Sequence, residues 1–241
     1  MNFFDQLAGF AFCMIRPGVA LSLIPLGNDG ALGLTLRVPL VLMFAAMPRM
    51  TGWPADMLQA GGVEVLIGLL LGLLLGVAFH AASAAGALLD QQGGYTIGAV
   101  YDPNFQQESS LFETLFMQFA ILTFFTGHGI VGVSGFFVDA WSVWPPGDTP
   151  QDGLARLAVT IAETRLPWAF TQSLQLAGPL LGVMLIADLS LGLASRHAKR
   201  LNPFSTARMF KAMILSFAAM MCAPAMLERL GRIVAAALNL S

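Results

Sequence analysis

Seven stretches of this chain run through apolar residues with scarcely a charge: 7–26, 31–47, 63–89, 111–144, 154–170, 174–194 and 212–227. A helix needs roughly 20 such residues to cross the hydrocarbon of a bilayer, and several of the stretches approach or exceed that length. A soluble domain of 241 residues would carry about a quarter charged residues. Here only 11% are charged and 56% are hydrophobic, and the mean hydropathy is +0.73. That leaves too little polar surface to hold the chain in water, so the bilayer, or an assembly inside it, is the expected solvent. The start of the chain has no basic n-region and Arg16 interrupts its apolar run, so no cleavable signal is expected.

The punctuation favours helices. Pro25 to Gly30, Pro145-Pro146-Gly147-Asp148 and Leu201-Asn202-Pro203 read as turns. The stretch 111–144 is too long for one span, and Gly127-His128-Gly129 is the expected division. No ten-residue alternation suggests an outer-membrane barrel. The expected fold is all-α, a polytopic membrane protein of about six to eight helices, with residues 1–241 forming one membrane-embedded domain. On the third stretch Gly68, Gly72 and Gly76 form a ridge of small residues, continued by His80 and Ala84, which lets a neighbouring helix approach closely.

The charges are unevenly placed. No Lys or Arg occurs between Met50 and Ala155, and Asp90, Asp102, Glu108 and Asp148 are assigned to loops there. By contrast Arg196, Lys199, Arg200, Arg208 and Lys211 crowd one loop. The positive-inside rule puts that basic loop in the cytoplasm and the acidic loops outside. Contact with anionic lipid is one use for such a cluster.

Arg16 and Arg37 lie at nearly equal distances from the turn near Gly27, which puts both about 16 Å deep in an antiparallel hairpin. Each would cost at least ~2.5–3.5 kcal/mol in lipid. They are therefore expected to face partner protein or a watery lumen, unless they snorkel from helices that begin later. Asp188, inside another apolar stretch, reads either as a lumen-facing carboxylate or as a structural acid bonded to a neighbouring helix. Glu64 and Glu113 read as solvated acids at helix ends.

Catalytic and metal-binding patterns find no support. His80, His128 and His197 are scattered, and neither a zinc motif nor a phosphate loop is present. Gly132-Val133-Ser134-Gly135 has the form of an intramembrane serine protease string, yet the later His197 sits among basic residues, so helix packing explains it better. Cys13 and Cys222 fit small buried side chains. The net charge of −2, without a basic stripe, argues against nucleic acid. No enzyme and no cofactor is expected.

Glu64, the repeated glycines, and then Gly86, Asp90, Gln92, Gly94, Asp102, Pro103, Ser110, Leu111, Phe125, Gly127 and His128 form an ordered pattern. Arg16, Pro25 and Arg37 precede it, and Pro179, Asp188, Leu189, Gly192, Leu201, Asn202, Phe204 and Lys211 follow. Together they resemble the FliR/SctT family, the T-subunits of type III secretion and flagellar export apparatus. Pro203, after Leu201-Asn202, and Arg208-Met209 depart from the family pattern around the basic loop, and Asp188-Leu189-Ser190-Leu191 leans towards the secretion branch, hence towards virulence or symbiosis.

The resemblance implies helical hairpins in a larger inner-membrane export gate that conducts unfolded proteins. The implied partners are R-subunits (FliP-like), S-subunits (FliQ-like), a switch subunit (FlhB-like) reached by the basic loop, the export-gate ring and membrane lipid. Residues 91–110 are Gly-rich and poor in periodicity, so Gly93, Gly94, Tyr95, Gly98, Asp102 and Pro103 are expected in a loop that plugs or lines the closed channel, or in a plain connector. A stand-alone transporter or channel for a small molecule or ion is the rival reading, disfavoured by the lack of an internal repeat.

Overall fold

The computed structural model describes residues 3–25, 31–93, 110–127, 129–148, 151–197 and 203–238. The elements are α1 (Phe3–Cys13), α2 (Ile15–Leu23), α3 (Ala31–Ala45), α4 (Met57–Gly93), α5 (Leu111–Thr126), α6 (Gly129–Val143), α7 (Gln151–Thr160), a π-helical turn (Ile161–Arg165), α8 (Leu166–His197) and α9 (Pro203–Leu238). Among the described residues there is no strand. Taking α1–α2 as one rod and α7–α8 as another leaves seven helices among the described residues, inside the range expected. Among the described residues four rods are long and apolar enough to cross a membrane: Phe3–Leu23, Met57–Gly93, Gly153–Ala194 and Phe210–Ala237. The chain is an all-α polytopic membrane protein.

Local chemistry accounts for the breaks. Pro17 has no N–H to return to Cys13, and the helix interrupts at Met14, three residues earlier, before resuming as α2. Pro167 likewise lacks a donor. Just before it the Leu166 N–H reaches back five residues to Ile161, the π-type bond that absorbs the irregularity. The stretches 154–170 and 174–194 are therefore one rod and not two helices. Thr171, Gln172 and Ser173 between them are polar but helix-compatible, and the Ser173 hydroxyl donates to the Phe170 carbonyl at 2.8 Å. The division expected at Gly127–Gly129 is present, since α5 ends at Thr126 and α6 starts at Gly129.

The chain packs as two compact units, each assembled from separate segments. Unit 1 holds residues 1–79, 124–168 and 234–241, and unit 2 holds 80–123 and 169–233. Every boundary falls inside α4, α5, α8 or α9. No linker marks the division, which is why composition showed none. The interior of unit 1 contains Phe12, Leu21, Phe44, Ile67, Leu71 and Phe137, with Phe44 and Phe137 stacked at 4.6 Å. That of unit 2 contains Leu89, Phe112, Phe116, Leu180, Met184 and Leu215.

The turn expected at 145–148 is formed in unit 1. The Asp148 N–H donates to the Pro145 carbonyl at 3.2 Å, and Gly147 has φ +84°. Proline second and glycine third is the pattern a type II turn requires. Gly147→Ala forces a Cβ into the left-handed region, and should lower stability by about 1–2 kcal/mol, read as a fall in the melting temperature of the detergent-solubilised protein.

Candidate functional site

Two internal anchor points, one in each unit, account for most of the polar side chains that apolar helices would not tolerate unaided.

The first lies in unit 1. Arg16, in the first turn of α2, is fully buried, and so is Glu64, eight residues into α4. The Arg16 Nε and Nη2 donate to the two Glu64 carboxylate oxygens at 2.7 and 2.9 Å. Nη1 donates to the Trp144 carbonyl at 2.9 Å and lies 3.4 Å from that of Ala140. These carbonyls end α6, where a cation complements the helix dipole. The guanidinium also stands 3.9 Å over the Trp141 ring. Glu64 accepts a further bond from the Gly147 N–H at 3.2 Å. The site ties α2, α4 and the α6 end together, with every charge partnered.

The glycine ridge makes this approach possible. A Cβ on Gly68 would lie 2.7 Å from the Arg16 carbonyl oxygen, and one on Gly72 would lie 2.7 Å from that of Ala20. The ridge does pack on a neighbouring helix, and that helix is α2. Its expected continuation does not, because His80 and Ala84 are exposed.

Arg16 is thus not a lumen-facing or intersubunit charge, because its partner lies in the same chain. Glu64 is not a solvated end residue, because α4 begins at Met57 and places it two turns inside. Nor do the two arginines share a depth. Arg37, half-buried on α3, donates from Nη2 to the Ile24 carbonyl at 3.2 Å, and Ile24 follows the last residue of α2. Eight residues of helix, about 12 Å, separate that carbonyl from Arg16.

The second anchor lies in unit 2. Asp90 is buried near the end of α4, not in a loop. Its two carboxylate oxygens accept the Phe112 and Glu113 N–H groups at 3.1 and 2.9 Å. Those are donors that the first turn of α5 cannot satisfy by itself. Glu113 in turn accepts the Ser83 hydroxyl at 2.8 Å and the Ser110 hydroxyl. Gly86 leaves room for this: a Cβ there would collide with the Phe112 carbonyl and the Glu113 backbone. Ser83, Gly86 and Asp90 fall on one face of α4 and clamp it to the start of α5. The sequence held a signal for this, since Ser110-x-x-Glu113 before an apolar run is a capping box.

Asp188, on α8, joins a third polar contact in unit 2. It forms an ion pair with Lys211 of α9 and accepts the Gln92 Nε2 of α4 at 3.3 Å. Lys211 and Arg208 belong to α9, not to a loop, because the helix starts at Pro203, a residue well suited to a first helical turn. Arg196 is in the last turn of α8, while Lys199 and Arg200 lie outside the described residues. Gly93 is the buried last residue of α4, not part of a loop; Gly94, Tyr95, Gly98, Asp102 and Pro103 lie outside the described residues. Ser134 sits within α6, its hydroxyl donating to the Ile130 carbonyl at 2.8 Å.

Comparison with known proteins places this architecture. The model of bacterial export proteins, family 1, matches residues 7–237. The chain belongs to that family. Among relatives of this export protein, the secretion system apparatus protein SsaT of Salmonella typhimurium is 32% identical over 211 residues, covering 83% of this chain and 81% of the relative. Yop proteins translocation protein T of Yersinia pestis is 28% identical over 64% of this chain and 59% of its own length. The flagellar biosynthetic protein FliR of Escherichia coli is 31% identical over 58% of this chain and 53% of its own length. The family 1 export protein is thus a T-subunit-type component of a type III secretion or flagellar export apparatus. In it, two residues of the central pattern acquire a physical role: Gly86 lets α5 approach α4, and Asp90 caps α5.

Proposed function

We propose that this export protein is the T-subunit of the inner-membrane export gate of a type III secretion system, where it forms part of the channel through which unfolded proteins leave the cell. The observation that carries the reading is the family match over almost the whole chain, 7–237, in a protein with four helices able to span a membrane. Its partners are R-subunits (FliP-like), S-subunits (FliQ-like), the switch subunit and the export-gate ring. Its role is conductive: it shapes a pore, while energy is supplied elsewhere in the apparatus. The anchors suit this role, since they satisfy its buried charges inside the chain and leave apolar surface for neighbours, such as Phe210, Met213, Phe217, Met220 and Met221 on α9.

Native mass spectrometry of the detergent-solubilised protein, co-expressed with its genomic neighbours, tests the reading. We expect one copy of this chain with several copies of two smaller membrane proteins. A stable lone monomer or homodimer would sink the gate assignment and favour a stand-alone transporter.

A further inference from the structure

The surface of unit 1 changes character along the first turns of α4. We infer that the end of unit 1 formed by the starts of α1 and α4 seats in the headgroup–acyl boundary of the bilayer, with phospholipid against it. The inference needs only that the chain is a membrane protein, so it stands apart from the export-gate assignment and goes beyond it.

Register comes first. A Cβ on Gly68 would meet the Arg16 carbonyl and one on Gly72 that of Ala20, so α4 runs parallel to α2 and in step with it. Eleven residues back along each rod, Met57 at the start of α4 comes level with Asp5 in the first turn of α1. Two candidate spans of unit 1 therefore begin side by side. The segment joining α3 to α4 lies at the same level. Its Gly52 N–H donates to the Asp5 carbonyl at 2.7 Å, and the Met50 carbonyl fills the space that a Cβ on Gly9 would need.

The exposed surface at this end is mixed. Phe3, Phe4, Trp53, Met57 and Leu58 all face outwards, Leu58 at 95% exposure. Asp5, Arg49, Asp56 and Gln59 are exposed among them. Water disfavours a cluster of large apolar side chains, and hydrocarbon disfavours the charges. The membrane interface accepts both, and Trp and Phe side chains are characteristic of it.

Further along α4 the exposed side chains become purely aliphatic: Val65, Leu66, Leu69 and Leu73. The mixed stretch, Met57 to Gly62, is about 8 Å long at ~1.5 Å per residue. The interfacial layer is about 5–8 Å thick on each side of a ~30 Å hydrocarbon core. A protein partner gives no reason for the change to fall at that depth, whereas a bilayer does. The irregular backbone nearby is satisfied within the chain, as a bilayer boundary requires, since Gly147 donates to Glu64 and Gly52 to Asp5.

The test uses the full chain with Cys13 and Cys222 replaced by alanine, co-expressed with its genomic neighbours and reconstituted in phosphatidylcholine vesicles. Copurification of the neighbours is recorded first. Its absence counts against the gate assignment alone, and the depth measurement then proceeds on the chain as isolated. Single cysteines, Leu58→Cys, Phe4→Cys or Leu69→Cys, carry a bimane fluorophore. The lipid carries a spin-label quencher either near the glycerol end or near the methyl end of its acyl chain. We expect the shallow label to quench Leu58→Cys and Phe4→Cys at least about twofold more than the deep one, and Leu69→Cys to show the opposite preference. A reversed preference at any of the three overturns the inference. So does the absence of quenching by either label, which would mean that protein or bulk water covers the site. If Leu58→Cys fails to reconstitute, Phe4→Cys decides, because the two spans start at one level.

Discussion

Replacing Arg16 with leucine should destabilise the protein by about 3–5 kcal/mol, because it strands the fully buried Glu64 carboxylate without its guanidinium partner. It also removes the cap from the Trp144 carbonyl, a smaller loss of about 1 kcal/mol. Replacing Glu64 with leucine should cost a similar amount by stranding the guanidinium. The double replacement is the discriminating case. Buried pairs exchanged whole for apolar residues are often neutral in stability, since both desolvation penalties disappear together. We therefore expect Arg16→Leu/Glu64→Leu to recover at least half of the single-variant loss. Melting temperature in detergent and steady-state level in membranes measure it. A double variant as unstable as the sum of the singles would show that the two residues act independently and would overturn the account of mutual neutralisation.

That pair also marks the limit of what the sequence discloses. The apolar stretches, the Pro145–Asp148 turn, the Gly127–Gly129 division and the close helix approach at Gly68 and Gly72 were all legible, because each depends on a few neighbouring residues. The partner of Arg16 lies 48 positions away in another helix, and no local pattern links them. The hairpin geometry that set Arg16 level with Arg37 assumed a single straight pair of helices. The structure instead divides the N-terminal rod at Met14 and sets Arg37 at its far end. Glu64 and Asp90 were misplaced for one shared reason. Both lie near the edges of an apolar run, and hydropathy draws such edges too early. α4 extends six residues before the apolar stretch and four beyond it, which turns two apparent end residues into interior ones.

The two anchors use different physics, which bears on how each fails. The unit 1 site balances charge against charge, so removing both partners is mild. The unit 2 clamp sets a carboxylate against helix N–H groups, which only proline would remove, and proline at Phe112 or Glu113 would also take away their side chains. No single substitution removes both N–H groups at once, so the clamp should show no simple rescue of the Arg16/Glu64 kind.

Gly86→Val should accordingly be the most damaging single change in unit 2. Its Cβ would fall on the Phe112 carbonyl and the Glu113 backbone, atoms that move only if the start of α5 moves. Overpacking of this kind costs about 1–3 kcal/mol. Displacement would also break the two bonds to Asp90, each worth roughly 1.5–3 kcal/mol as bonds to a charged group. Asp90→Ala loses those bonds without the clash and should cost less. Asp90→Asn keeps an oxygen acceptor for one of the two N–H groups and should cost least. The expected order of destabilisation is Gly86→Val, then Asp90→Ala, then Asp90→Asn, with a total of about 4 kcal/mol or more for the first. Hydrogen exchange at the Phe112 and Glu113 amides reads the clamp directly, since both protons should exchange faster in all three variants while those of α6 stay unchanged. Unaltered exchange in Gly86→Val would mean that α5 starts without help from α4.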